Sequence, residues 1–477
     1  MSFARSEPLI DELCAVLGGE RVRTNPLDLS LFGRDASIMK GKAGAVCFPG
    51  TTAEVAAVIR ACHRHNRPFV ARGSGTGLAG GAVPLGEPVV VVTTGMDRVL
   101  EIDPVERVAW VEPGVRNLDL TRAAASHGLR FSPDPSSQQA CSVGGNVATN
   151  AGGPHCLRDG VTTSHVLAVE VVLPDGEVAV LGGLDPEPAG YDLRGLFVGS
   201  EGTLGIATRI AVRLMPHPPA VATLLLGFPE PAQAATTVSA IIAGGIVPAA
   251  VEMMDARIVA AVEEYVGAGL PTDAGALLLV EVDGLAGQVE HEAGVVEQVA
   301  GVHGASSVRR AADAQERAQW WTARKSAFGA IARIRPDYYL HDTVVPRRRL
   351  VDVLDGVYAI AERHRLDVVN VFHAGDGNLH PLLLFDRRDP GVLDRVRAAG
   401  EEIVRLSLDA GGVLSGEHGI GIEKRDFMGW LYSADDLDAQ ERVRSAIDPR
   451  GAANPHKVLP EGSRCGDLAG VAPGLWV

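Results

Sequence analysis

Pro68-Phe-Val-Ala-Arg72-Gly73-Ser74-Gly75-Thr76-Gly77-Leu-Ala-Gly80-Gly81 contains a formal G-x-G-x-x-G match at Gly75, Gly77 and Gly80, and the reading of that match decides the fold. In a dinucleotide-binding βαβ unit the glycine loop follows a strand and opens a helix whose N-terminus receives the pyrophosphate. Here the loop runs instead through Ala-Val-Pro84 into an apolar strand at 89–93. The helical segment lies before it, where Glu54 follows Thr51 by three residues, as in a capping box. The doubly wound reading therefore fails on context. What remains is a simple turn, or a nest of glycine N–H groups that binds a pyrophosphate, with Arg72 adding charge.

Two further segments favour the nest. Pro133-Asp134-Pro135-Ser136-Ser137 leads into Gly144-Gly145-Asn146-Val-Ala-Thr149-Asn-Ala-Gly152-Gly153, and Gly199-Ser-Glu201-Gly202-Thr-Leu-Gly205-Ile206 comes later. Each sets small, backbone-exposing residues beside hydroxyl and amide groups, as a long polar ligand requires. Around them, residues 1–40 read as a helical lead-in, with Ile10, Leu13, Val16 and Leu17 at helical spacing. Short strands are expected at 89–93, 108–111, 166–173, 178–181 and 205–214. The proline-rich stretch 214–219 reads as a linker. Beyond it the pattern alternates. Strands are predicted at 222–228, 248–254, 276–282, 305–310, 338–345 and 367–373, with helices at 230–243, 256–267, 286–301, 313–334, 348–365 and 389–410, an α+β arrangement.

The second informative stretch is His373-Ala-Gly-Asp-Gly-Asn-Leu-His380, between the apolar runs 368–372 and 382–385. It reads as a β-hairpin. Closed symmetrically, it sets the two histidines opposite each other with Cβ atoms roughly 5 Å apart. That spacing suits one metal ion, and Glu417 of Ser415-Gly-Glu417-His418-Gly could complete a two-His, one-carboxylate set with open positions. Two loop histidines bonded to nearby backbone remain the plain alternative.

Bulk properties narrow the class. A chain of 477 residues is too long for one ordinary core. A formal charge of −15 argues against binding to nucleic acid or an anionic membrane. Cys14, Cys47, Cys62, Cys141, Cys156 and Cys465 include no C-x-x-C pair, which suggests reduced cytoplasmic usage and no iron–sulfur site. The opening residues show no apolar signal core, and no run reaches the ~18 apolar residues of a membrane span, so a soluble protein is expected.

ARGSGTGLAGGA, PDPSSQQACSVGGNVATNAGG and GSEGTLGI together resemble the FAD-binding domain of the vanillyl-alcohol-oxidase/PCMH flavoprotein superfamily. PDYY, VFHAGDGNLHPLLLF, SGEHGIGIEK and NPHK resemble its D-2-hydroxy-acid dehydrogenase branch, and within it the catalytic subunits of bacterial glycolate oxidases. The resemblance covers residues 40–460. It implies a PCMH-type FAD-binding domain of two α+β subdomains at 1–219, a substrate or cap domain with an antiparallel sheet and helices at 220–412, and a segment at 413–477 that returns to the FAD domain. Carried over by position, Arg72, Gly73, Ser74, Gly75, Thr76 and Gly77 would bind the pyrophosphate. Pro133, Asp134, Ser136, Ser137, Gly144, Gly145, Asn146, Thr149, Gly152, Glu201, Gly202, Gly205 and Ile206 would line the rest of the FAD, and Asn454 would approach the isoalloxazine. Covalent-flavin members often carry a histidine where this chain has Thr76, so the FAD is expected to be non-covalent.

The same resemblance makes His373, His380 and Glu417 metal ligands, His418 the proton acceptor and Arg324 the anchor of the substrate carboxylate. By itself Arg324 could equally be a solvated cation on an amphipathic helix. Some 2-hydroxyglutarate enzymes place a lysine two residues before the aspartate that corresponds to Asp342; this chain has Leu340, which counts against a dicarboxylate substrate. The implied reaction is oxidation of a small D-2-hydroxy acid, glycolate or alternatively D-lactate. A divalent metal (Zn, Mn or Fe) assists deprotonation, and a hydride passes to flavin N5. With no cysteine cluster of its own, the chain would pass electrons to an iron–sulfur partner subunit or a quinone, in the cytoplasm or peripherally at the membrane through such partners. A metal-dependent hydrolase would have no need of the glycine segments, and a non-catalytic assembly subunit no need of the Glu417-His418 pair.

Overall fold

Short β-branched runs punctuated by Gly and Pro are too brief for long strands, and they pair into small sheets. The computed structural model describes residues 7–185 and 189–460; Met1 to Ser6 and Cys465, both used in the sequence reading, lie outside the described residues. The chain divides into two compact units. One takes residues from 1–152, 160–217 and 417–477, the other from 153–159 and 218–416.

In the first unit, Val22–Arg23, Ala45–Cys47, Val89–Val92 and Phe69–Arg72 form a four-stranded sheet in that order. Ala45–Cys47 and Phe69–Arg72 both run parallel to Val89–Val92. Helix Thr52–Arg64 packs Val55, Val58, Ile59 and Cys62 into the core beside them. Thr51 caps this helix through the Glu54 N–H, but the capping box is only half made. The Glu54 carboxylate turns away to Arg21 and the Gly50 N–H. No helix follows the glycine loop, as its context requires. A second, fully antiparallel sheet orders Val99–Asp103, Val108–Val111, Ile206–Arg213, Val166–Val172 and Val178–Gly182. The 214–219 stretch is not a bare linker, because Met215–Pro216 pairs with Leu129–Arg130. Residues 452–454 return along Phe69–Arg72: Phe69 N–H donates to Ala452 O, and Asn454 N–H to Phe69 O.

The second unit is built on an antiparallel sheet ordered Ser307–Arg310, Ala220–Phe228, Ala276–Gly284, Ala250–Asp255, Asp367–His373, Asn378–Leu379 and Thr343–Val344. Pro381–Phe385 pairs with both Asp367–His373 and Asp337–Leu340. The strand predicted over 338–345 is thus two strands. It breaks where the Asp342 side chain is buried and accepts hydrogen bonds from the Ser415 hydroxyl and the Gly416 N–H. The helix predicted over 313–334 likewise ends at Lys325 and resumes as Ala327–Ala330. The hairpin does not close symmetrically. His373 is in register with Asn378, and a one-turn 3-10 helix at Ala374–Asp376 fills the bend. His380 therefore lies on the diagonal from His373, two residues further along the partner strand, which is still within reach on the same face.

Glu281 holds the helix that carries Arg324. Its carboxylate, 2% exposed, accepts Arg317 Nε and Nη2 at 2.8 and 2.7 Å, Trp321 Nε1 at 2.7 Å and Thr223 Oγ1 at 2.7 Å. Arg317 and Trp321 sit on Ala314–Lys325, seven and three residues before Arg324. Burial alone would raise the Glu281 carboxyl, but His155 and Arg317 hold it far below the usual carboxylate range. A depressed pKa stabilises the fold above the unfolded value of about 4.3, and that contribution is lost as pH falls through the folded value. Glu281→Gln should therefore cost about 2 kcal/mol at pH 7. In urea denaturation the gap between the two proteins should narrow as pH falls below 4; a gap of equal size at pH 7 and pH 3 would contradict this account.

Candidate active site

In the first unit the three glycine-rich segments converge. Residues from 71–73, 144–148 and 200–207 line one cleft. Of the expected cofactor residues, Arg72, Gly73, Gly144, Gly145, Gly202, Gly205 and Ile206 form its walls. The cleft depends on missing side chains. A Cβ at Gly144 would stand 2.5 Å from the Pro113 side chain. At Gly205, with φ +136°, it would stand 2.6 Å from Val172 O. Gly75, at φ +73°, turns the loop under the Arg72 guanidinium, which packs where a Cβ would project. This backbone-lined cleft fits a long, phosphate-containing cofactor.

The other expected cofactor residues lie off this lining. Ser74 is exposed, Thr76 is half-buried, and Gly77 O accepts the Ala36 N–H. Pro133 O accepts from Asn117, whose amide also bonds Asn146, so Asn146 is committed beneath the cleft together with Cys141. Asp134 and Ser136 are half-buried, as is Ser137, whose carbonyl accepts the Ala140 and Cys141 N–H groups. Thr149 bonds back to Gly145 O inside helix Val143–Thr149, and Gly152 is buried just beyond that helix.

Glu201 and Asn454 act as internal clamps. The buried Glu201 carboxylate accepts the Ile420 and Gly421 N–H groups at 2.6 and 2.8 Å, fixing the loop just after His418. Desolvation raises its pKa against those donors. Asn454 Nδ2 donates to Gly81 O at 2.9 Å and Glu201 O at 2.6 Å, tying the glycine loop to the 199–205 turn. Lys457, fully buried, donates to Val83 O, and burial pushes its pKa down to about 7.

In the second unit a buried chain of polar groups surrounds His373. Its Nδ1 lies 2.7 Å from Glu252 Oε1, and Arg324 Nη2 lies 2.5 Å from Glu252 Oε2. Glu252, Arg324 and His373 are 1%, 1% and 3% exposed. Desolvation opposes charge on Glu252, but Arg324 and His373 outweigh it and hold the carboxyl below its ordinary value. The His373 and His380 rings meet edge to face, with centroids 5.2 Å apart. His380 Nε2 stands 3.7 Å from Asp342 Oδ1, the carboxylate that also holds Ser415 and Gly416. Glu417 is the next residue of the chain. His373, His380 and Glu417 each offer one ligand atom, and these atoms lie within 4.8 Å of one another. Two imidazoles and a carboxylate at this spacing fit a divalent ion of the Zn, Mn or Fe(II) type. His418 Nε2 is 3.9 Å from Glu417 Oε1.

The sequence reading missed Glu252 and Asp342 as partners of the two histidines. For Glu252 the local signal was a carboxylate inside a strand, Ala250–Asp255, that is apolar up to its terminal Asp255.

Residues 43–182 match the family model described as FAD binding domain, and residues 217–458 match FAD linked oxidases, C-terminal domain. The chain is 45% identical to Glycolate oxidase subunit GlcD of Escherichia coli (strain K12) over 423 residues, covering 89% of this chain and 85% of the relative. It is 32% identical to a D-lactate dehydrogenase of Anaerostipes hadrus, covering 86% of this chain and 88% of the relative. Among solved structures, 4-ethylphenol oxidase from Gulosibacter chungangensis superposes with a TM-score of 0.80 at 21% identity, covering 96% of this chain and 98% of that one, a likeness of fold.

Removing one ligand should empty a three-residue metal set without touching the glycine cleft. Glu417→Ala is expected to keep its flavin while losing bound metal and turnover, read by elemental analysis and flavin absorbance on one sample; full activity after exhaustive chelation would refute the metal assignment.

Proposed function

The chain belongs to the FAD-linked oxidases of the PCMH type, and from that premise we propose that it oxidises a small D-2-hydroxy acid to the 2-oxo acid, glycolate before D-lactate. Glycolate and D-lactate, the compounds for which the two relatives are named, are both 2-hydroxy acids. The observation that carries the reading is the clustering of His373, His380 and Glu417 with ligand atoms within 4.8 Å of one another. A 2-hydroxy acid presents a hydroxyl and a carboxylate that chelate one ion, which such a set accommodates with positions to spare.

FAD, when bound, supplies the two-electron acceptor, and a divalent ion held by His373, His380 and Glu417 supplies Lewis acidity toward the substrate hydroxyl. Arg324 binds the substrate carboxylate through paired N–H groups and so fixes which bond of Cα can react. Its Nε is buried without a hydrogen-bond partner among the described residues, a donor that a carboxylate would satisfy. A neutral His418 imidazole takes the hydroxyl proton, and Glu417 remains a ligand, since a carboxylate beside a cation stays ionised. Arg72 and the glycine N–H groups of the cleft would hold the cofactor's phosphates non-covalently, with Thr76 offering no imidazole for attachment. The working division keeps 1–219 as the FAD domain, 220–412 as the cap and 413–477 as the returning segment.

Electrons then leave the chain. Cys47 and Cys62 are buried, with thiol pKa values pushed up by desolvation, Cys62 to about 12. Such thiols are poor cluster ligands, which supports transfer to an iron–sulfur partner or a quinone. The E. coli relative is itself named a subunit. No helix among the described residues is long and apolar enough to cross a membrane. Contact with a membrane would go through a partner, with the chain on the cytoplasmic side.

Leu340, 7% exposed, pairs with Leu382, two residues along from His380. An apolar wall there leaves a second substrate carboxylate unpaired, which is costly. Under anaerobic conditions glycolate and D-lactate should bleach the flavin much faster than D-2-hydroxyglutarate, and Leu340→Lys should narrow that difference. D-2-hydroxyglutarate as the fastest substrate of the unaltered protein would overturn the substrate assignment, and no bleaching by any 2-hydroxy acid would overturn the function.

A further inference from the structure

Glu252 is not among the residues assigned to binding or chemistry above, yet it touches two of them. It lies at the centre of strand Ala250–Asp255, in register with His373 on one neighbouring strand and Leu279 on the other. We propose that Glu252 is the positioning residue of this site: one carboxylate oxygen fixes the tautomer of His373, and the other fixes one edge of the Arg324 guanidinium. This rests on the proposed metal and substrate roles of those two residues.

Oε1 lies 2.7 Å from His373 Nδ1, so a carboxylate there makes Nδ1 the protonated nitrogen and leaves the Nε2 lone pair for an ion. Oε2 forms an ion pair with Arg324 Nη2 at 2.5 Å, a charge contact without hydrogen-bond geometry. The buried Nε of the same guanidinium meets no protein acceptor among the described residues, so the fork is held at one point and open at another. A carboxylate enclosed at 1% exposure is retained at great desolvation cost, and Arg324 and His373 are the two groups that offset it. Neither contact is local: Glu252 is 121 residues from His373 in sequence. A single rigid strand thus sets the angle of a metal ligand and of a carboxylate anchor together, so a change at Glu252 must disturb both.

Glu252→Gln tests this with nearly the same shape. Its amide can satisfy His373 or Arg324 through its one oxygen, while its NH2 group faces the other as donor against donor. Three readouts are taken on the flavin-loaded protein: flavin per chain, Zn²⁺ affinity by competition with a chelating dye, and KM and kcat for glycolate. Flavin content should be unchanged, Zn²⁺ affinity should fall about 10–100-fold, and KM should rise by a larger factor than kcat falls. Glu252→Asp, which keeps the charge but retracts it by one methylene, should fall between Gln and wild type in both Zn²⁺ affinity and KM. It serves as the main comparison if the Gln protein does not accumulate. Wild-type Zn²⁺ affinity in the variants, or weakened Zn²⁺ with an unmoved KM, overturns the bridging role while leaving the parent reading intact. A wild-type protein that turns over glycolate at full rate with no metal removes that reading, and the role of Glu252 with it.

Discussion

A carboxylate removed from water must be surrounded by donors or it will not stay ionised, and the arrangement of this protein follows from where it accepts that constraint. Glu201, Glu252, Glu281 and Asp342 are all buried, and each is met by groups from distant parts of the chain. Glu201 takes two backbone N–H groups at Ile420 and Gly421. Asp342 takes Ser415 and Gly416. The loop that carries Glu417 and His418 is therefore pinned by one carboxylate ahead of it and another behind it. Glu281 grips the helix of Arg324, and Glu252 grips Arg324 itself.

Such pinning matters because the proposed chemistry depends on position. A proton acceptor or a carboxylate anchor displaced by about 1 Å loses much of its effect. Loops without regular structure reach that precision only when their own groups are saturated from outside. The glycine cleft achieves the same end by another route. There, missing side chains let backbone approach backbone, and Asn454 bonds Gly81 and Glu201 at once to hold two of the segments together. Rigid scaffolding thus surrounds both the cofactor cleft and the histidine pair, within two units that each have their own sheets.

Much of this was legible in the sequence where the signal was local. The alternation after residue 219 placed most strands and helices of the second unit to within a few residues, because apolar periodicity reports burial directly. The glycine loop was read correctly as no dinucleotide motif, because a helix before the loop and none after it is a matter of order alone. Long-range pairing was not legible. The register that sets His373 against Asn378, and not against His380, depends on the short 3-10 turn at Ala374–Asp376, which no hairpin rule specifies. Glu54 seemed destined for its own helix cap, but Arg21, 33 residues away, offered a charged partner. Glu252 was invisible for the same reason: an acidic residue in an apolar strand announces a partner without saying which one.

The account turns on whether those fixed side chains gather a metal, and anomalous diffraction from crystals of the FAD-loaded protein tests this most directly. It predicts one peak at the absorption edge of the bound metal, about 2.0–2.2 Å from a nitrogen of His373, a nitrogen of His380 and a carboxylate oxygen of Glu417. Crystals of fully active protein with no anomalous peak at those three residues would contradict it.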